Sequence, residues 1–185
     1  MKLSKIGALC KTVKRFMIYR NHKGLQWISD GYAIFPLRDM PPLGADNVFT
    51  IFDVPEEKRG KMMFDEREEM PPGINLSDTS EGEVALKYAP LAIRYRGAVL
   101  LPYFAGSHVI FVDEKYLSCF GDGVELFARK SSENKYYVVV KKGFFIEGAM
   151  LPSEVSSAEL ADVLAEISES VAREIAPPDL NRDDL

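Results

Sequence analysis

One order of elements occurs twice in this chain, and no other feature restricts its fold as much. Near the start, Met1–Leu3 leads into a helical pattern, then FMIYR, LQWIS, an Asp-Gly turn and YAIFPL. Later, HVIFV leads into the helical segment DEKYLSCF, then VELFARK, KYYVVVK, a Lys-Gly turn and FFIEGAMLP. Both copies read strand, helix, strand, strand, turn, strand. Few residues are identical between them, so the repeat is one of pattern. Two such βαβββ units, with antiparallel strands and both helices on one face, make an α+β domain.

The spacing predicts a first helix over about Lys5–Phe16, with Ser4 as its N-cap. Ile6, Leu9, Cys10, Val13, Phe16 and Met17 form its apolar stripe. The opposite face carries Ser4, Gly7, Ala8, Lys11 and Arg15, with Lys14 beside it. That face is basic, and its first turns are made of small residues. Strands follow at 16–20, 25–29 and 32–37, joined by Asn21–Gly24 and by the tight Asp30-Gly31 turn. Pro36 near the end of the third strand marks that end as an edge. Trp27 and Tyr32 flank the Asp-Gly turn, and packing is the expected role of both.

Residues 38–83 read as an irregular insertion. Asp46 is placed to cap a short helix over 47–52, residues 61–66 suit a strand, and the stretch 70–83 is a Pro-, Gly- and Ser-rich loop expected to be mobile. Strands are predicted at 84–88, 91–95, 98–104 and 108–112. A short helix runs over 113–120, and strands follow at 124–130, 135–141 and 144–150. The domain is therefore expected to span 1–152. Residues 153–185 read as an acidic C-terminal helix and tail. Ser156-Ser157-Ala158-Glu159 is a capping box, and Leu160, Val163, Leu164, Ile167, Val171 and Ile175 form an amphipathic stripe ended by Pro177-Pro178. Residues 179–185 are expected to be disordered.

Composition narrows the chemistry. With 185 residues, 46% of them hydrophobic, the chain is neither disordered nor fibrous. Two cysteines, Cys10 and Cys119, exclude a disulfide framework and a multi-cysteine zinc site. Two histidines, His22 and His108, leave little for a His-based mechanism. The longest apolar stretch, Ala98–Gly106, is interrupted by Pro102 and is shorter than the ~20 residues that cross a bilayer. The N-terminal Ile6–Cys10 run has too short an apolar part for a signal segment, so a cytoplasmic protein with free thiols is expected. Gly121-Asp122-Gly123 lacks the third glycine and following helix of a phosphate loop. Cys10 lies on an apolar stripe, and Cys119 has no histidine near it in sequence. Asp65, Glu66, Glu68 and Glu69 form an acidic cluster of a kind that can hold Mg²⁺, but a solvated charged loop is the simpler account. The expectation is no catalytic residues, no metal and no cofactor.

Charge is unevenly placed. The net charge of −5 includes eight basic and two acidic residues in 1–40, against two basic and nine acidic in 151–185. Such a chain can offer a basic surface to a polyanion although the whole is acidic.

LQWISDGYAIFPL and EKYLSCFGDGVELFARKSSENKYYVVVKKGFFIEGAMLP together resemble a DNA sliding-clamp domain of the bacterial or phage type. In that family an Asp-Gly turn follows an alternating strand, and a Tyr-Leu helix precedes the closing strands, which end in Met-x-Pro. Met150-Leu151-Pro152 is similar to that ending. The resemblance covers about residues 1–152. It implies two helices turned toward duplex DNA, with Lys5, Lys11, Lys14 and Arg15 as phosphate contacts that do not read sequence. It also implies a processivity-like accessory factor, replication or phage proteins as partners, a phage or mobile-element setting, and a homo-oligomer. Clamps join two or three such domains in one chain, whereas this chain has room for one. The second helix carries two acids and only Lys115. The rival reading is a protein-interaction or structural module that keeps the fold without binding DNA. A continuous positive face on the first helix supports DNA, and an isolated patch does not.

Overall fold

The computed structural model describes residues 1–20 and 24–156. Its helices are α1 (Leu3–Val13), α2 (Val48–Ile51), α3 (Glu56–Arg59) and α4 (Glu114–Leu117). Its strands are β1 (Arg15–Arg20), β2 (Gln26–Ser29), β3 (Ala33–Leu37), β4 (Met63–Arg67), β5 (Val84–Ala85), β6 (Lys87–Tyr88), β7 (Ile93–Tyr95), β8 (Ala98–Ala105), β9 (His108–Asp113), β10 (Glu125–Lys130), β11 (Tyr136–Lys142) and β12 (Phe145–Met150). The result is a mixed α+β unit dominated by sheet, running Met1–Ser153.

Eight strands form the main sheet in the order β4-β1-β2-β3-β12-β11-β10-β5. Two three-stranded antiparallel meanders, β1-β2-β3 and β10-β11-β12, meet at a seam where Ala33 faces Met150 and Ile34 faces Ala149. Read outward from the seam, the two halves have the same order. Each half is preceded in the chain by a helix, α1 or α4. The flanks differ: β4 lies parallel to β1, and β5 lies antiparallel to β10.

Period-two alternation sorts the side chains of this sheet. Phe16, Ile18, Ile28, Phe35, Leu37, Leu126, Val138, Val140 and Met150 point to one face, where they share a core with Ile6, Leu9 and Cys10 of α1 and with Tyr116, Cys119 and Phe120 at α4. Both helices therefore pack on the same side. Met17, Tyr19, Trp27, Ile34, Tyr137, Val139, Ile146 and Ala149 form a second core on the far face, covered by Leu25, Met70, Ile74 and Leu76. Strands β6, β8, β7 and β9 make a small separate sheet, whose Ala105, Ile110 and Val112 join the helix-side core.

Several sequence expectations need correction. Met1–Leu3 is not a strand. The Lys2 N–H instead donates to the Cys119 carbonyl at 2.7 Å, tying the start of the chain to the end of α4. The first helix starts at Leu3 with Lys2 as its N-cap, so Ser4 caps nothing. It ends at Lys14, which takes a left-handed conformation and donates to the Cys10 and Lys11 carbonyls. That turn frees Arg15 and Phe16 to begin β1. Asp46 does not cap α2. Asn47 occupies the N-cap, and its side chain accepts from Gly44 N and donates to the Pro42 carbonyl. The expected strand over 84–88 is divided between the two sheets, because Leu86 between them turns to the core and donates to the Leu126 carbonyl. Helix α3 was not foreseen. Pro36 pairs with Trp27 on one side and lies past the two β3 residues that pair with β12, so that end of β3 is an edge as read. The expected helix over 157–175 and the tail beyond it lie outside the described residues, as does His22.

Candidate functional site

The four predicted DNA contacts do not form one surface. Lys5 is exposed on α1. Lys11 is half-buried, and its Nζ donates to the Phe52 carbonyl at 3.1 Å. Lys14 is exposed at the helix C-cap. Arg15 shares strand phase with Met17 and Tyr19, which places it on the face of the sheet away from the helices. Its Nη1 lies 3.1 Å from where a Cβ on Gly31 would stand. Of the small residues on α1, Ser4 and Ala8 are exposed, but Gly7 is not open. Gly7 is buried, and a Cβ there would meet Phe52 Cδ1 at 2.6 Å. The insertion brings Phe52 down onto the helix, against Phe16 at a ring separation of 5.7 Å. A helical wheel of α1 alone contains no sign of this return.

A different group of cations gathers on the helix side. Lys5 of α1, Arg96 of the β7–β8 turn and Lys115 of α4 line a cleft of about 630 Å³, together with Asp113, Glu114, Ser118 and the segment Gly97–Val99. Asp113 is buried and fully engaged. Its Oδ1 accepts from Lys115 N at 3.0 Å, and its Oδ2 pairs with Lys115 Nζ at 2.9 Å. Arg96 stands 5.3 Å from the Tyr95 ring centroid. Sequence reading named Lys115 only as a lone cation among acids and missed Arg96 altogether. The signal for it was the Arg-Gly pair at a hairpin turn.

Beneath this side, Tyr116 donates its hydroxyl to Asp30 Oδ2 at 3.1 Å, while Asp30 Oδ1 accepts from Tyr32 N and Ala33 N. The Asp-Gly turn of the first half is thus held by the helix of the second. Burial pushes the Cys119 thiol up to about 11, with the Asp30 charge adding to it against the pull of Lys5 and Lys2. The Cys10 thiol is raised further by burial, then by Asp30 and Cys119. Burial thus disfavours the thiolate form of both cysteines near neutrality. Asp65 pairs with Arg67, and Glu66 with Arg20. Among the described residues no group of three His, Cys, Asp or Glu is placed to hold a metal.

The far face carries a polar lock. Glu83 accepts from Arg129 Nη2 at 2.6 Å through one oxygen and binds Lys141 Nζ through the other. Arg129 and Lys141 are both buried. Arg129 Nη1 also donates to the Asn75 and Ser77 carbonyls at 2.8 Å. Asn75 N in turn donates to the Tyr137 hydroxyl, and Ile146 N to Asp78 Oδ1. The loop 70–83, expected to be mobile, is therefore strapped across the sheet. Burial by itself would raise the Glu83 carboxyl, but hydrogen bonds from Lys141 and Arg129 and their charges outweigh it and hold it below the usual glutamate range.

At the rim, the β11–β12 hairpin turns through Gly143-Phe144. Phe144 is 84% exposed and Phe145 62%. No helix among the described residues is long and apolar enough to cross a membrane. Compared with family models, with curated proteins and with solved structures, the chain finds no match.

Proposed function

We propose that this chain is a non-catalytic protein-interaction module on a clamp-like frame. The observation that carries the reading is the aromatic hairpin tip. Phe144 and Phe145 are adjacent and mostly exposed, and the turn needs only Gly143, whose φ of 59° suits a two-residue hairpin. Burying one phenylalanine contributes roughly 1.5–3 kcal/mol, so two at a protruding tip suit an anchor in a partner's apolar pocket. The clamp-like frame is supported by the matching strand order outward from the β3–β12 seam and by both helices packing on one side.

A second reading, a DNA-associated accessory factor, is favoured by the gathering of Lys5, Arg96 and Lys115 on the helix side. Fluorescence anisotropy on duplex DNA over a salt series separates the two. The interaction reading expects no saturable binding, with native protein and a Lys5→Glu/Arg96→Glu/Lys115→Glu variant alike. Binding with a log–log salt slope near about −2.7, the value for three neutralised phosphates, would overturn it in favour of DNA.

A further inference from the structure

We propose that Phe144 of one copy of this chain seats in a groove on the far face of a second copy, at the β3–β12 seam. This rests on the interaction reading and names the partner. The groove holds about 90 Å³. Its floor is Ile34 and Ala149, which face each other across the seam. Tyr32 and Tyr137 wall it, and the strap over 70–83 closes it with Pro71 and Ile74. The Tyr137 hydroxyl is engaged with Asn75 N and the Asn75 carbonyl, so what that wall offers an occupant is its ring. Tyr32 is 55% exposed, and Leu151 at the mouth is 45% exposed. An apolar hollow rimmed by half-exposed aromatic and aliphatic side chains suits an inserted aromatic anchor.

The chain carries the matching knob itself. Phe144 is 84% exposed at the β11–β12 turn, and its ring has only two side-chain torsions to immobilise on docking. A tip cannot fill its own groove. Phe145 opens β12 and Met150 ends it, and at roughly 3.3 Å per residue the tip stands about 17 Å or more from the groove along the strand. Tip and groove therefore occupy opposite ends of one strand. Every copy offers both, and each contact joins unlike surfaces. Contacts of that kind close into a ring or run on as a filament, according to the rotation between neighbours.

Charge orients the pair. Lys142 is exposed directly before the turn. Glu68 and Glu69 are exposed and lead into Met70 and Pro71 at one rim of the groove. At another rim, Arg15 Nη1 lies beside Gly31, 3.1 Å from where a Cβ would stand. The groove is thus acidic on one side and basic on another, and the tip docks with Lys142 toward Glu68 and Glu69. Such complementarity fixes orientation more than it adds affinity. A lipid surface fits the tip less well. Anionic headgroups attract clusters of several cations, whereas at this hairpin Lys141 is already tied to Glu83 and Glu147 pairs with Arg38.

The test is sedimentation velocity of the full chain over roughly 10 µM to 1 mM, the range of weak association. Phe144→Ser removes the knob, and Tyr32→Glu places a charge at the mouth of the groove. Both side chains are exposed, so both variants should keep the native thermal melt, and Leu151→Glu repeats the groove variant at a second position. The native chain is expected to sediment faster as concentration rises. Each variant alone should associate about tenfold or more weakly, as for one lost anchor. Mixed in equal amounts, Phe144→Ser supplies an open groove and Tyr32→Glu supplies a tip, so the mixture should form a one-to-one pair that grows no further. A native chain that stays monomeric throughout would overturn the proposal and leave the tip to a different protein. Variants that are each monomeric but do not pair when mixed would also overturn it. Association by Phe144→Ser equal to the native would overturn it and remove the tip as the anchor of the interaction reading as well.

Discussion

A methyl group added to Gly148 would stand 2.7 Å from the Ile34 carbonyl oxygen and 2.9 Å from the Phe120 ring. Ile34 lies on β3, and its carbonyl cannot retreat without parting β3 from β12, the strands that join the two halves. Gly148→Ala is therefore expected to destabilise by about 1–3 kcal/mol, the range for overpacking. Gly123, with nothing within 4 Å of an added Cβ, gives a measure of backbone strain alone, since its φ is +72°. Urea titrations of the two alanine variants check this. A Gly148→Ala midpoint equal to the native one would remove the seam from the account of stability. Residues of this kind were legible in part. Cys10 was read as packing from its place on an apolar stripe, and it is 1% exposed. Gly7 was misread as a small open residue, because the neighbour that covers it, Phe52, arrives from a segment whose path has no local signature.

Among the elements, the strap over 70–83 is the one whose character sequence reading missed. Proline, glycine and serine do mark a segment without regular structure, but they say nothing of what ties it down. The signal lay elsewhere. Arg129 and Lys141 stand at inward phases of otherwise apolar strands, and a cation placed so must find an anion. Glu83 is that anion. Removing one partner of a buried ionic group costs about 3–5 kcal/mol, because the others are left uncompensated. Glu83→Gln is expected near the lower end, since the amide oxygen still accepts one hydrogen bond. The pH dependence follows from the lowered Glu83 value. A glutamate held below its unfolded pKa of about 4.3 contributes stability above that pH and loses it as pH falls through the folded value. Chemical denaturation followed by Trp27 fluorescence, between neutral pH and roughly pH 3, reads this directly, because Trp27 belongs to the core the strap covers. In Glu83→Gln that part of the acid dependence should vanish. An unchanged acid limb would show that the lock does not carry it.

For the whole molecule, the repeated order of elements was the legible part. It anticipated two meanders, a helix before each, and both helices on one side of the sheet. The seam between β3 and β12, the parallel β4 and the division of 84–88 between two sheets were not legible. Each depends on pairings far apart in the chain, which leave no period in either strand alone. The architecture sets an order of local stability. Val138–Val140 lies on β11, fully buried and paired on both sides, whereas β5 and β6 are two-residue strands at sheet edges. Native-state hydrogen exchange should find the amides of Val138–Val140 among the slowest, and those of Val84–Ala85 and Lys87–Tyr88 faster by at least about a hundredfold. Comparable rates would mean that the small sheet and the main sheet open as one unit. The seam also bears on how the chain is made. Ala33 and Ile34 find their partners in Met150 and Ala149, so during synthesis β3 waits with one side bare until nearly the whole domain has left the ribosome. For that interval the first meander has an open edge of the kind that recruits stray strands. Pro36, with no amide hydrogen to offer, and the charged Arg38 beyond it shorten the length of edge that another nascent chain could join.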